Sequence, residues 1–311
     1  MNFVKRTFRI VFELGEGSFT GKPEDNRIEL SGLRIHANIR VSPFSALDEA
    51  HIVVFGLKAD TMNALTLIKG TVQINLLKPN TVSLYAQDET GNDILVFSGM
   101  IFQALADYNS MPTVPMHIFA ISSFKLNTAP PNAISFNGSV TVPQIIQTIL
   151  DNYNATRTEP EDKYVLENNG VTTSLTDVAL SGSYKEMILS VARQANISVQ
   201  FEGNTVVIVA AGQSRAITPI TISVETGMIG YPSLIPNGCI VRTLFSPYYR
   251  WLAPVTVKSR QVLFQKGMGK EIGASEAECL ILKMSHRLQS ETPNGLWQTE
   301  LQLIYKLTSS S

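Results

Sequence analysis

Two rhythms of apolar and polar residues run along the chain. Leu33, Ile35, Ala37, Ile39 and Val41 alternate with Arg34, His36, Asn38 and Arg40. That strict two-residue period buries one face of a β-strand and leaves the other polar. Phe8, Ile10 and Phe12 alternate with Arg9, Val11 and Glu13 in the same sense. Further strands are expected at 52–57, 71–77, 82–87, 94–104 and 116–121, separated by turn residues at Lys78-Pro79-Asn80 and across 88–93. A short helix around 60–67 would plug or flank them. Many strands with short connections make residues 1–125 an N-terminal barrel or sandwich.

The rhythm changes after Pro130-Pro131-Asn132. Val142, Ile145, Ile146, Ile149, Leu150 and Tyr153 recur at helical spacing on one face, with Thr141 as the cap and Pro143 in the first turn. A polar loop is expected over 154–163. Ser183-Tyr184-Lys185-Glu186 is a capping-box pattern that opens a second helix. Its apolar stripe is Met187, Ile188, Val191, Ala192 and Ala195, and it ends near Asn196. A hairpin of 197–201 and 205–209 follows, turning at Glu202-Gly203-Asn204. Residues 126–212 thus read as a small α+β module. Residues 213–311 return to period two. After Pro293-Asn294-Gly295, Trp297, Leu301, Leu303 and Tyr305 alternate with Gln298, Glu300, Gln302 and Lys306. The expectation is a C-terminal β domain, again a barrel or sandwich and open to completion by strands of the first, with Trp297 in its core. The fold class is mainly β with a small α+β module between two barrel- or sandwich-like β domains.

Composition narrows the functional classes. Charged residues are 16% of the 311, below the usual ~25%, while hydrophobic residues are 44%. Low charge with ample apolar content points to a surface that meets other protein. With 25 basic and 26 acidic residues and no block of like charge, the chain lacks the basic stripe of a dedicated nucleic-acid binder. No run approaches the ~18 apolar residues of a membrane span, so no stable membrane insertion is expected. The first six residues lack the apolar stretch of a signal peptide. Cys239 and Cys279 form no C-x-x-C and each sits in an apolar strand pattern. Buried free thiols of a protein made in a reducing cytoplasm fit that placement.

Candidate chemistry is sparse. His36, His51, His117 and His286 have no metal-type neighbour at i+2, i+3 or i+4, and His36 and His286 read as solvent-facing or interface strand positions. No nucleophile elbow and no complete phosphate-binding loop occurs; Gly15-Glu16-Gly17-Ser18 and Gly267-Met268-Gly269-Lys270 read as turns. Glu159, Glu161 and Asp162 fall in a polar loop with nothing to raise a carboxyl pKa, so a glycosidase pair is not expected there. No catalytic residue, metal or cofactor is expected. Tyr248, Tyr249, Arg250 and Trp251, after Pro247, form the densest aromatic cluster. Tyr, Trp and Arg are enriched at protein contacts, which makes these four interface candidates. The competing reading is a strand end whose rings cap the second barrel.

A resemblance is carried by Thr226-Gly227-Met228-Ile229-Gly230-Tyr231-Pro232, by Asn237-Gly238-Cys239-Ile240-Val241-Arg242 running on to Pro247, and by Ser285-His286-Arg287-Leu288 closed by Pro293-Asn294-Gly295-Leu296-Trp297. This order resembles the baseplate hub (tail tip) proteins of contractile-tailed bacteriophages and prophages. It is strongest over roughly 180–305 and looser over 1–125. The resemblance implies β domains of tail-tube type, two per subunit, and a homotrimeric ring with sixfold-like symmetry that joins the tail tube to a central spike. It implies as partners the chain itself, the spike protein, the tube protein and other baseplate proteins, with DNA only in passage through a channel. The setting would be the virion tail, assembled in the host bacterial cytoplasm. On that reading Gln298, Glu300 and Gln302, the polar side of the last strand, are candidates to line the lumen. The alternatives are a receptor- or glycan-binding tail protein and, more remotely, a cell-wall hydrolase.

Overall fold

The computed structural model describes residues 6–22, 24–41, 48–67, 78–87, 92–122, 125–128, 133–157, 163–260 and 276–306. The strand expected at 71–77, the Pro130-Pro131-Asn132 break, the loop carboxylates Glu159, Glu161 and Asp162, and the Gly267–Gly269 turn lie outside these residues.

The first region holds β1 (Phe8–Glu13), β2 (Arg27–Ser31), β3 (Ile35–Val41), β4 (Glu49–Phe55), β5 (Thr81–Gln87), β6 (Asp93–Ala106) and β7 (Pro115–Ile121), with the helix α1 (Ala59–Leu65) between β4 and β5. Alternation does what the pattern asks: Ile35, Ala37 and Ile39 are buried, while His36 and Asn38 are half-buried and Arg40 is exposed on the other face. Neighbours in the sheet run β3-β4-β7-β6-β5-β1-β2, all antiparallel. Ile10 and Phe12 of β1 share one apolar core with Ile35 and Ile39 of β3, near the far end of that order. The sheet therefore curls around its core, and Met62 and Leu65 of α1 pack into the same cluster.

The helix α2 (Lys125–Thr128) leads into the module. There follow β8 (Ile134–Ser135), β9 (Ser139–Thr141), α3 (Val142–Asn154), β10 (Val165–Asn169), β11 (Ser174–Thr176), β12 (Ala179–Leu180), α4 (Tyr184–Gln194), β13 (Ser198–Glu202) and β14 (Thr205–Val209). Both helices start on capping boxes. The Thr141 N–H donates to Gln144 Oε1 at 3.2 Å; the Ser183 N–H donates to Glu186 Oε2 at 2.7 Å, and Ser183 Oγ accepts from the Glu186 N–H at 3.2 Å. The predicted α3 stripe of Ile145, Ile146, Ile149, Leu150 and Tyr153 is wholly buried against Met187, Ile188 and Val191 of α4. Burial of each such aliphatic side chain stabilises by roughly 1.5–3 kcal/mol. The sheet under the helices runs β10-β14-β13, with β10 parallel to β14. The β13–β14 hairpin turns at Gly203, whose φ of 54° suits a residue without a Cβ.

The last region holds β15 (Ile220–Ile222), β16 (Met228–Ile235), β17 (Gly238–Leu244), β18 (Pro254–Lys258), β19 (Glu276–Gln289) and β20 (Trp297–Tyr305). β16 and β17 meet at Pro236-Asn237, where Asn237 takes φ 60°. Gly238 is required for closeness: a Cβ there would lie 1.9 Å from the Leu303 carbonyl oxygen of β20. β19 is the joint of the molecule. One edge pairs β20 along most of its length; on the other edge residues 276–280 pair β18 and residues 284–289 pair β3. The register with β20 shifts between Ile281 and Lys283, a bulge that adds local twist where the partner changes. The two β regions are thus one 13-stranded sheet, ordered β16-β17-β20-β19-β3-β4-β7-β6-β5-β1-β2 with β18 and β15 branching from β19. The molecule is mainly β, with its sheet curled around two apolar cores and the α+β module between them in sequence. Strands of the first region do complete the last: Val41 packs on the second core and Leu288 sits in the first.

Two expectations are corrected by this joint. Trp297 packs on the first core, against Phe8 at 4.9 Å between ring centroids, and not in the C-terminal one. It opens β20 at the end nearest β1, and only Leu301 and Leu303, further along, enter the second core. His286 does not face solvent or a partner. It is 6% exposed on the core side of β19, with Nδ1 2.9 Å from Thr299 Oγ1.

Candidate functional site

The face of the sheet opposite the cores is continuous and mixed: polar over β20, β19 and β3, with Val53, Phe55, Phe119 and Ile121 among the polar residues of β4 and β7. Cross-strand register aligns Leu244, Gln298, Arg287, Asn38, His51, Phe119 and Gln103 in one row over β17, β20, β19, β3, β4, β7 and β6. The next row aligns Arg242, Glu300, Ser285, Arg40 and Glu49. Strands sit about 4.8 Å apart, so seven adjacent strands make a wall roughly 29 Å across. Charges of both signs alternate along it. Arg242 Nε and Glu300 Oε2 form an ion pair at 3.0 Å. Solvent screens such an exposed pair, which orders the two side chains more than it stabilises the fold.

The three lumen candidates, Gln298, Glu300 and Gln302, are half-buried neighbours on this face, opposite the buried Thr299, Leu301 and Leu303 of the same strand. The interface candidates are dispersed. Tyr248 is 60% exposed and Arg250 is half-buried, donating from Nη1 to the Pro247 and Tyr249 carbonyls. Tyr249 lies in the second core, its hydroxyl 3.2 Å from Thr243 Oγ1, and burial pushes its pKa up. Trp251 has no exposed surface; it fills a small cluster with Val207 and Val209 of β14 and Leu280 of β19. The Tyr249 and Trp251 rings therefore act inside the subunit, Trp251 fastening the module to the C-terminal strands, and Tyr248 is left as the ring of the cluster that a partner can reach.

The open edges of the 13-stranded sheet are unlike. β2 presents Arg27, Glu29 and Ser31 outward. β16, at the other end, exposes Ile229, Tyr231 and Leu234, at 40%, 60% and 57%. Exposed apolar side chains on an open edge strand mark a surface another chain can cover, while Pro232 and the register shift between Ile229 and Ser233 limit backbone pairing along it.

Among the described residues no group of three or more His, Cys, Asp and Glu is placed to hold a metal ion. His286 is pushed down to about 4 by burial, with the Arg250 charge adding to it, and so stays neutral. The Cys239 and Cys279 thiols are free and buried, and the hydrogen bond with Cys239, together with burial, pushes Cys279 up. No helix among the described residues is long and apolar enough to cross a membrane.

A family model described as baseplate hub gp41 matches residues 7–261. The chain belongs to that family of tail proteins. The matched span takes in the N-terminal strands, the module and the β16–β17 hairpin. It stops short of β19 and β20, where part of the sequence resemblance lay. No curated protein sequence matches the chain. Solved structures with a similar fold include a tail protein from Neisseria meningitidis MC58, with TM-score 0.57 and 11% identity, covering 96% of each chain. The 43 kDa tail protein of prophage MuSo2 from Shewanella oneidensis gives 0.54 and 12%, covering 96% of this chain and 97% of that one. The E. coli c3393 protein, a type VI secretion component described as similar to T4 tail proteins gp27 and gp5, gives 0.54 and 11%, covering 89% of this chain and 74% of that one. The chain is a structural component of a phage tail.

Sequence reasoning missed two constellations. Arg215 is 5% exposed and donates two forks: Nε to Glu167 Oε1 at 2.7 Å with Nη2 to Glu167 Oε2 at 2.5 Å, and Nη1 to both Glu202 oxygens at 2.9 and 2.8 Å. Its own N–H donates to the Leu252 carbonyl at 3.0 Å, so one residue ties β10, β13 and the C-terminal region together. The second is a histidine pair: His51 Nε2 lies 3.1 Å from His117 Nδ1, with the His51 ring stacked on Phe119 at 4.4 Å. Neither has a sequence signal, because the partners lie 48, 13 and 66 residues apart and meet only through sheet register.

Proposed function

We propose that the chain is a non-enzymatic hub subunit that closes, as a homotrimer, into a ring with a central channel and joins the tail tube to the central spike. The observation that carries this reading is the single sheet face running across both β regions, polar where β20, β19 and β3 join them. Each subunit would offer two barrel-like units side by side on one sheet, so three copies would give six, the number a sixfold tube requires. The unlike edges β2 and β16 support head-to-tail contacts, which close into rings, over a self-complementary twofold contact. In such a ring the wall bearing Gln298, Glu300 and Gln302 lines the channel. Its mixed charges would let a duplex pass without holding phosphates. Tube, spike and other baseplate proteins would bind the ring's two rims, after assembly in the host cytoplasm.

Native mass spectrometry of tag-free chain, alone and with the spike protein, tests the reading. The expected result is a trimer, alone or on the spike, and electron microscopy of that species shows a ring. A dimer as the sole assembly, or a monomer that binds glycans and no spike, overturns it; the latter result would favour a receptor-binding role.

A further inference from the structure

Two imidazoles meet on the wall, and Asn38 stands on the strand beside them. His51 of β4 and His117 of β7 bring Nε2 and Nδ1 to 3.1 Å. Two imidazole nitrogens bound to one tetrahedral ion at ~2.05 Å stand about 3.3 Å apart, so the pair already has the spacing of a chelate. Asn38 of β3 is the register partner of His51. Side chains directly opposite across antiparallel strands start from Cβ atoms about 5 Å apart. The Asn38 side-chain oxygen is buried and accepts no hydrogen bond from any described residue. A buried acceptor in that state calls for a donor or a cation. We propose that His51, His117 and the Asn38 carbonyl oxygen form a binding site for a late first-row divalent cation, with Zn2+ the natural probe. Nitrogen and amide oxygen donors suit this class, whereas Ca2+ and Mg2+ demand mostly charged oxygens. The sheet supports the donors rigidly: three adjacent strands carry them, and Phe119 stacks on His51 and limits how far its ring can swing.

The test is a titration of tag-free full-length protein with Zn2+ at neutral pH, followed by calorimetry and by the histidine ring signals in NMR. Saturation at one ion per chain is expected, with the His51 and His117 signals shifting and those of His36 and His286 unmoved. His51→Ala and His117→Ala should each weaken binding at least tenfold, and Asn38→Ala severalfold; His36→Ala should leave it unchanged. His51→Gln, which retains a polar side chain on the sheet, covers the case in which an alanine variant fails to fold. The proposal falls if wild-type protein shows no saturable binding below millimolar Zn2+. It falls equally if the ion binds but leaves the His51 and His117 signals in place.

Discussion

The indole of Trp297 lies 4.9 Å from the ring of Phe8, centroid to centroid, although the two residues stand at opposite ends of the chain. Phe245 meets the same indole edge-on at 5.7 Å, and Arg6 donates from Nη1 to the Gly295 carbonyl at 2.9 Å. The last strand is therefore sealed to the first core by an aromatic contact as well as by the β19–β3 ladder. Trp→Ala in a full core costs about 3–5 kcal/mol. Trp297 is half-buried, so Trp297→Ala should cost about 3 kcal/mol in chemical denaturation. Combined with Phe8→Ala, the double-mutant cycle should show a coupling of about 0.5–1.5 kcal/mol. Additive losses would show that the two rings pack independently.

Arg215 holds two carboxylates through paired forks, so its removal leaves both facing each other beside a buried site. Breaking a buried pair costs 3–5 kcal/mol, and solvent reaching Glu167 puts this one at the low end, about 3 kcal/mol. Arg215→Met should lower the melting temperature and expose the module to limited proteolysis before the β regions. The Arg215 forks hold the Glu167 carboxyl below its usual range. A depressed carboxyl contributes stability that is present above its unfolded pKa, near 4.3, and is lost as pH falls through the lower folded value. Wild-type protein should lose that increment below about pH 4.3, and Arg215→Met, left with only the Asn169 hydrogen bond and the Arg250 charge on Glu167, should lose less.

His286 sets a second, separable pH dependence. Its folded pKa is about 4, and its unfolded value is about 6.5. Between these values the unfolded chain binds the proton and the folded chain does not, so stability falls as pH drops from about 6.5 to 4. The full effect is roughly 3 kcal/mol. Urea midpoints measured from pH 7 to pH 4 should fall more steeply for wild type than for His286→Gln. Parallel curves would mean that the buried imidazole titrates normally.

Local chemistry was legible and long-range registration was not. The β3 alternation and both capping boxes sit within a few residues, and β3, α3 and α4 appear within about two residues of their expected bounds, whereas β4 starts three residues before its expected bound. Period two tells which side chains share a face; it does not say which of two cores that face meets. That is why Trp297 and His286 were misplaced. The aromatic run at 248–251 shows the same limit: composition marks three rings and an arginine as contact-prone, but only the β14–β19 packing reveals that Trp251 is spent inside the subunit. His51 and His117 are 66 residues apart and invisible to any spacing rule, since the β4–β7 pairing alone brings them together.

The exposed edge of β16 separates assembly from folding. Ile229, Tyr231 and Leu234 make few contacts within the subunit, so a charge there should change monomer stability by less than about 0.5 kcal/mol. Lysine on an edge strand is an established block to pairing with another chain. Tyr231→Lys combined with Leu234→Lys should therefore keep the wild-type melting temperature of the monomer and abolish the trimer in native mass spectrometry. The charge-neutral pair Tyr231→Ser and Leu234→Ser should weaken assembly less, because it removes apolar area without repelling the approaching edge. If the double-lysine protein still forms trimers, the subunits join through some other surface and β16 is covered by a different tail protein.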